Sequence, residues 1–180
     1  YLAGREAATL LDHAREHVAS TLNARPDEIH FCSGATEALN QAIFGVAERM
    51  LNERPHIIVA SPEHPAVLEP IKRCQRAGAQ VRYREVNEQG IINLSQLDSL
   101  LNEQCFLVAV MLANNETAVI NDIPSISARA HAHGAFMLCD VTAALGKIPV
   151  DVKALGCDFA ACSAHKIHGP KGCGVFYKKR

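Results

Sequence analysis

The order of hydrophobic segments predicts an α/β protein, a mostly parallel sheet flanked by helices on both faces. Short apolar runs alternate with longer stretches of helical periodicity, the rhythm of strand–helix–strand crossovers. The runs "HIIVAS", "CFLVAVMLA" and "AFMLCD" are nearly unbroken, as expected for strands covered on both faces. Polar residues able to do chemistry stand just after such runs, where open α/β sheets collect ligands.

From Gly4 to Leu22, the residues Ala7, Leu10, Leu11, Ala14, Val18 and Leu22 recur at helical spacing. "EIHFCS" reads as a short strand and "ATEALNQAIFGVAERML" as a helix. "HIIVAS" is a second strand, followed by the helix "EHPAVLEPIKRCQRAG", closed by Gly78. "QVRYREV" alternates as a strand does, "NLSQLDSLLNE" is a short helix, and "CFLVAVMLA" a buried strand. "PSISARAHAHG" is helical, and "AFMLCD", "DFAACSA" and "GCGVFYK" are the remaining strands. With no repeat, linker or low-complexity segment, residues 1–180 read as one domain.

Composition narrows the function classes. Hydrophobic residues make up 48% and charged residues 21% of 180, as in soluble globular chains. A net charge of −1 argues against broad binding of nucleic acid or an anionic membrane. The run at 105–113 falls well short of the ~20 residues that span a bilayer. Seven cysteines, several in apolar runs and none in a C-x-x-C pair, read as buried thiols of a reducing cytoplasm.

Each strand end carries a chemical option beside a plainer one. "SGATE" at 33–37 places Gly34, Ala35 and Thr36 where unpaired N–H groups and a helix dipole can hold a phosphate; an ordinary capped turn is the alternative. Asp140 ends a buried run, so it needs donors or a cationic partner such as a protonated ring nitrogen. Lys166, following another buried run, is a surface lysine or a partly desolvated reactive amine. His64 is a loop residue or a ring that stacks on an aromatic ligand and moves protons. Asn115 caps a turn or donates to a ligand oxygen. A phosphate cradle, a carboxylate for a pyridinium nitrogen, a Schiff-base lysine and a stacked imidazole are together what pyridoxal 5'-phosphate requires.

Two rival classes are open. "HAREH" at 13–17 fits H-x-x-E-H, and "HAH" and "HKIH" add histidines, which would suit a zinc hydrolase. A solvated helix face explains His13 and His17 better, so no metal is assigned. The third class is a chain that keeps the fold without the chemistry.

The segments "GREAA", "SGATEALNQAI", "EHPAVLEP", "NNETAVINDI", "DVTAALGKIPVDV" and "SAHKIHGPKGCGVFY" resemble, in order, the landmarks of the cysteine desulfurases. These belong to the class V aminotransferase branch of fold-type I pyridoxal-phosphate enzymes. The resemblance covers essentially the whole chain and implies the large cofactor-binding domain of that fold. It implies that Lys166 holds the cofactor covalently and that His64 stacks on its ring and helps move protons. It further implies that Asp140 pairs with the ring nitrogen, and that Gly34, Ala35, Thr36, Ser163 and His165 hold the phosphate. Asn115 stands near the phenolic oxygen and substrate.

The implied reaction converts L-cysteine to L-alanine and passes sulfur to an enzyme cysteine, then to an acceptor protein, in a cytoplasmic homodimer. Selenocysteine and cystine lyases are near relatives. The family's usual glutamine after the strand-end aspartate is here Ala143, a change worth ~1 kcal/mol of hydrogen bonding if unreplaced. Two of its usual glycines are Ala118 and Ala164. The family's sulfur-accepting loop and carboxylate-binding arginine match nothing in residues 1–180. The expectation is a cofactor-binding fragment of a longer protein, inactive alone.

Overall fold

A computed structural model describes residues 1–87 and 89–180. The main helices are α1 (Leu2–Leu22), α2 (Ala35–Met50), α3 (Pro65–Arg76), α4 (Leu94–Leu100), α5 (Ile123–Ala132) and α6 (Val152–Leu155). The strands are β1 (Ile29–Cys32), β2 (His56–Ser61), β3 (Gln80–Glu85), β4 (Cys105–Met111), β5 (Phe136–Asp140), β6 (Phe159–Ser163) and β7 (Gly174–Lys178). They form one sheet in the order β1-β7-β6-β5-β4-β2-β3. β7 is antiparallel to both of its neighbours, β1 and β6, while β2 to β6 are parallel where they pair. The mostly parallel sheet expected from the sequence is therefore observed.

Side-chain alternation along the strands divides the interior into two layers. Ile57, Val59, Leu138 and Ala161 pack on one face against Leu39, Ile43 and Val46 of α2 and Val67 and Ile71 of α3. Ile58, Val108, Met137 and Cys139 pack on the other against Leu22 of α1, Leu97 of α4, Ile126 of α5 and Val152 of α6. Fully buried Leu39 and Ile43 each contribute about 1.5–3 kcal/mol by leaving water. Because Asp140 is two residues beyond Leu138, and Ser163 two beyond Ala161, both are carried toward the α2 face at the strand ends. That phase positions the site.

The α1 stripe is buried only at its C-terminal end. Ala19 and Leu22 are in the core, whereas Leu10 is 70% and Leu11 47% exposed. A helix of 21 residues is about 31 Å long, more than the neighbouring strands can cover. The sequence reading also passed over three short elements. Asp151 caps α6 by accepting the N–H groups of Lys153 (2.9 Å) and Ala154 (2.8 Å). Pro26–Glu28 and Ala164–Ile167 form 3-10 turns. All three are shorter than the window over which helical periodicity can be read.

Arg54, in the turn before β2, is another feature that periodicity does not reveal. Its guanidinium donates to the carbonyls of Gly134 (2.6 Å), His133 (2.6 Å) and Cys105. It thereby ties the entry of β4 to the turn before β5.

Candidate active site

A cavity of about 580 Å³ opens at the carboxyl end of the sheet, within the roughly 300–1,000 Å³ typical of small-molecule sites. Its lining includes Thr36, His64, Asn115, Asp140, Ser163 and Lys166, drawn from five different strand ends. Ala35 and His165 also line it. Gly34 lies behind Ala35, at the contact between the β1–α2 turn and the start of β7.

That contact shapes the corner of the cavity at the start of α2. A Cβ on Gly174 would lie 2.4 Å from Gly34 Cα and 2.7 Å from its carbonyl carbon, backbone against backbone. Close approach lets α2 begin directly over Ser163, whose Oγ accepts the Ala35 N–H at 2.7 Å. The Ala35 donor is therefore committed to Ser163, and the next N–H groups of α2 are the ones its first turn leaves open. Glu37 is held back on Ser33, accepting its N–H (2.7 Å) and its Oγ–H (2.6 Å). Gly174→Ala in the full-length protein should cost about 3 kcal/mol in urea unfolding, because two backbones must separate. An unchanged midpoint would show that the turn yields easily.

The electrostatics at the cavity floor come from burial. Asp140 is 8% exposed, and burial raises its carboxyl above the ordinary range. Its Oδ1 accepts the Thr142 N–H at 2.9 Å, which favours the charged form without outweighing burial. His64 caps α3, with Nδ1 accepting the Ala66 N–H at 3.1 Å, so a neutral ring carries its proton on Nε2.

Lys166 sits in the 3-10 turn Ala164–Ile167 with its side chain exposed. Of the two readings of Lys166, the exposed one holds, because the turn carries it to the cavity rim rather than beneath the strand. His165 and Asn115 are exposed as well. The Asn115 loop is organised by its neighbour Asn114, whose Oδ1 accepts the N–H groups of Glu116 (2.8 Å) and Thr117 (2.9 Å). Ala118, where the family has glycine, holds φ at 59°, a left-handed conformation that costs an alanine about 1 kcal/mol. Ala164 lies against Gly169, where a Cβ would be 2.9 Å from the Ala164 Cβ. Ala143 lines the cavity and gives only its carbonyl, to Lys147 Nζ at 3.0 Å.

Several lining residues had no role in the sequence reading, including Thr142, Lys147 and Ile148. "DVTAALGKI" was quoted as a landmark, but the bend that turns it onto the cavity has no periodic signal. Glu63 was likewise quoted, without its burial being foreseen. Among the described residues, no three His, Cys, Asp or Glu side chains are grouped to hold a metal. His13 and His17 lie exposed on α1. Burial pushes the thiol of Cys105 up to about 11 and those of Cys157 and Cys162 to about 12, so these are packing groups. Cys32, expected to be buried, is only half-buried.

The residues present fit pyridoxal 5'-phosphate. Buried Asp140 lacks a cationic hydrogen-bond partner and would gain one in a protonated ring nitrogen. The α2 N-terminus, beside Ser163 and His165, is a cradle for a dianion. The primary amine of Lys166 lines the same cavity.

Known proteins resemble this chain over almost its whole length. Cysteine desulfurase IscS of Vibrio atlanticus (strain LGP32) is 42% identical over 177 residues, 98% of this chain and 44% of that protein. A solved "NifS-like protein" superposes with a TM-score of 0.95 at 37% identity, over 98% of this chain and 49% of the other. The structure titled "SspA in complex with cysteine" also gives 0.95, at 32% identity, over 99% and 51%. The chain thus spans about half the length of these relatives. The family model for class-V aminotransferases matches residues 1–180 in full, and with the sheet order and the strand-end cavity it places this chain in that family.

Proposed function

We propose that this chain is the pyridoxal-phosphate-binding part of a cysteine desulfurase, with the cavity at the strand ends as its active site. The observation that carries the reading is that Thr36, His64, Asn115, Asp140, Ser163, His165 and Lys166 line one cavity. The family is in general pyridoxal-phosphate-dependent, and the relatives named cysteine desulfurase supply the substrate class. When bound, the cofactor supplies an electron sink for carbanion chemistry at the substrate α-carbon.

In this reading Lys166 would hold the cofactor covalently, and its amine would also be the group that moves the substrate α-proton. Asp140 holds the proton on the ring nitrogen, and its burial strengthens that pairing by excluding water. Thr36, Ser163 and His165 grip the phosphate, with Gly34 and Ala35 setting the turn that presents them. His64 would lie against the ring, and its Nε2–H, left free by the Nδ1 contact with Ala66, would exchange a proton with the substrate. Asn115 orients the substrate end. The balanced reaction is L-cysteine plus a protein thiol giving L-alanine plus a protein persulfide. The carbon–sulfur bond breaks, a sulfur–sulfur bond forms, and a proton ends on the former β-carbon.

The whole protein is proposed to work as a cytoplasmic homodimer that hands sulfur to an acceptor protein, as in iron–sulfur cluster assembly. The test uses the full-length protein with added pyridoxal phosphate, L-cysteine and a thiol reductant. Equimolar alanine and sulfide are expected, with cystine and selenocysteine as comparison substrates. A colourless protein that yields no alanine from any of the three would overturn the reading.

A further inference from the structure

β4 loses its neighbour near the active site. The β2–β4 pairing runs through Val59 and Ala109, after which β2 ends at Ser61. In a ladder the N–H and C=O of one residue face the same edge, so Met111 presents both groups toward the gap that β2 leaves. Two side chains fill it. Glu63 Oε1 accepts the Met111 N–H at 2.7 Å, and Asn121 Nδ2 donates to the Met111 carbonyl at 2.9 Å.

Each of those side chains also has one oxygen without a partner among the described residues. Glu63 Oε2 and Asn121 Oδ1 are both buried and unpaired, in residues only 6% and 7% exposed. Both oxygens are acceptors while Glu63 is ionised, and leaving two acceptors buried and unsatisfied is costly. A single proton removes both faults, turning one acceptor into a donor for the other.

We propose that Glu63 is a protonated carboxylic acid in the folded protein, donating from Oε2 to Asn121 Oδ1, and that the pair is an uncharged clamp on Met111. The clamp holds the segment carrying His64 against β4, whose end lines the cavity. It also keeps the negative charge of this region on Asp140, where a cationic ring nitrogen needs it.

The surrounding charges favour this state. Burial raises the Glu63 carboxyl well above the ordinary range, and Asp140 on β5 raises it further. The Cys139 thiol on β5 also couples to Glu63 and is itself held protonated by burial. His64, next to Glu63 in sequence, is turned to the start of α3, where its Nδ1 accepts the Ala66 N–H. Glu63 is thus a positioning residue that acts through Met111 and His64.

Infrared difference spectra of the full-length protein at about pH 7 should contain a protonated-carboxyl stretch. Glu63→Gln should remove it, and Asn121→Ala should move it to the higher frequency of an acid without an acceptor. The second expectation concerns stability. With its folded pKa above the ordinary 4.5, Glu63 takes up a proton on folding, so stability falls as pH rises from that value through the folded pKa. Relative to Glu63→Gln, the wild-type folding constant should drop about tenfold per pH unit across that window. No carboxyl band lost in Glu63→Gln, or a stability difference that does not change with pH, would show Glu63 to be ionised. Neither readout depends on bound cofactor. Failure of the clamp is therefore distinguishable from failure of the pyridoxal-phosphate reading, on which only its value to Asp140 rests.

Discussion

Lys166→Ala in the full-length protein is expected to abolish the visible absorbance of the bound cofactor and to lower alanine formation from L-cysteine by on the order of 10³-fold. The amine has two duties in the proposed mechanism, covalent anchor and α-proton carrier, and alanine performs neither. Borohydride should add the cofactor's mass to a peptide containing Lys166 in the wild type and to no peptide of the variant. Lys166 is exposed in a short turn and packs into neither layer of the core, so the variant should unfold at the wild-type midpoint. A variant that kept its colour and its turnover would place the reactive amine elsewhere.

Asp140→Asn should separate stability from function. The asparagine keeps an oxygen for the Thr142 N–H while removing a buried negative charge. Because burial raises the Asp140 carboxyl, folding without cofactor draws it toward protonation. Its contribution to stability is present below the ordinary carboxyl range and lost as pH rises through the raised value. At neutral pH the cofactor-free variant should therefore be more stable than wild type, by about 1–3 kcal/mol in urea unfolding. In the loaded protein the ring nitrogen loses its counter-charge, and turnover should fall by roughly 10²–10³-fold. A variant less stable than wild type, with turnover unchanged, would mean that Asp140 is a structural acceptor only.

The two substitutions probe opposite ends of one cavity, and they differ in how readily sequence disclosed them. Asp140 was conspicuous because an acid at the end of "AFMLCD" has a burial cost that must be met. Its burial is observed. Lys166, following "DFAACSA", reads as either a surface lysine or a partly desolvated amine, and the structure exposes it. What separates them is the 3-10 turn Ala164–Ile167, too short to leave a periodic signal. Glu63 shows the reverse failure. A charged residue opening the segment "EHPAVLEP" gives no sign of burial, and only the departure of β2 from β4 brings it under cover.

The alanines at family glycine positions make a related point. Ala118 holds its left-handed backbone because the loop around it is fixed by Asn114 and by the Ala113–Ile120 bridge. Ala164 is accommodated because Gly169 leaves room for its Cβ. Ala143 differs from both. It carries no backbone strain but takes a donor from the cavity wall, so its effect belongs to chemistry rather than folding.

By itself the sequence determined the alternation of strands and helices, the two-sided burial of the sheet and the segments that carry the site. Those properties follow from local periodicity and from the cost of burying polar groups, both written along a single stretch of chain. Only the tertiary structure decided the antiparallel course of β7, the contact of Gly174 on Gly34 that sets α2 over Ser163, the exposure of Lys166 and the covered carboxyl of Glu63. Each depends on which strand lies beside which and where a neighbour ends, and the free energy of those contacts belongs to residue pairs far apart in the chain.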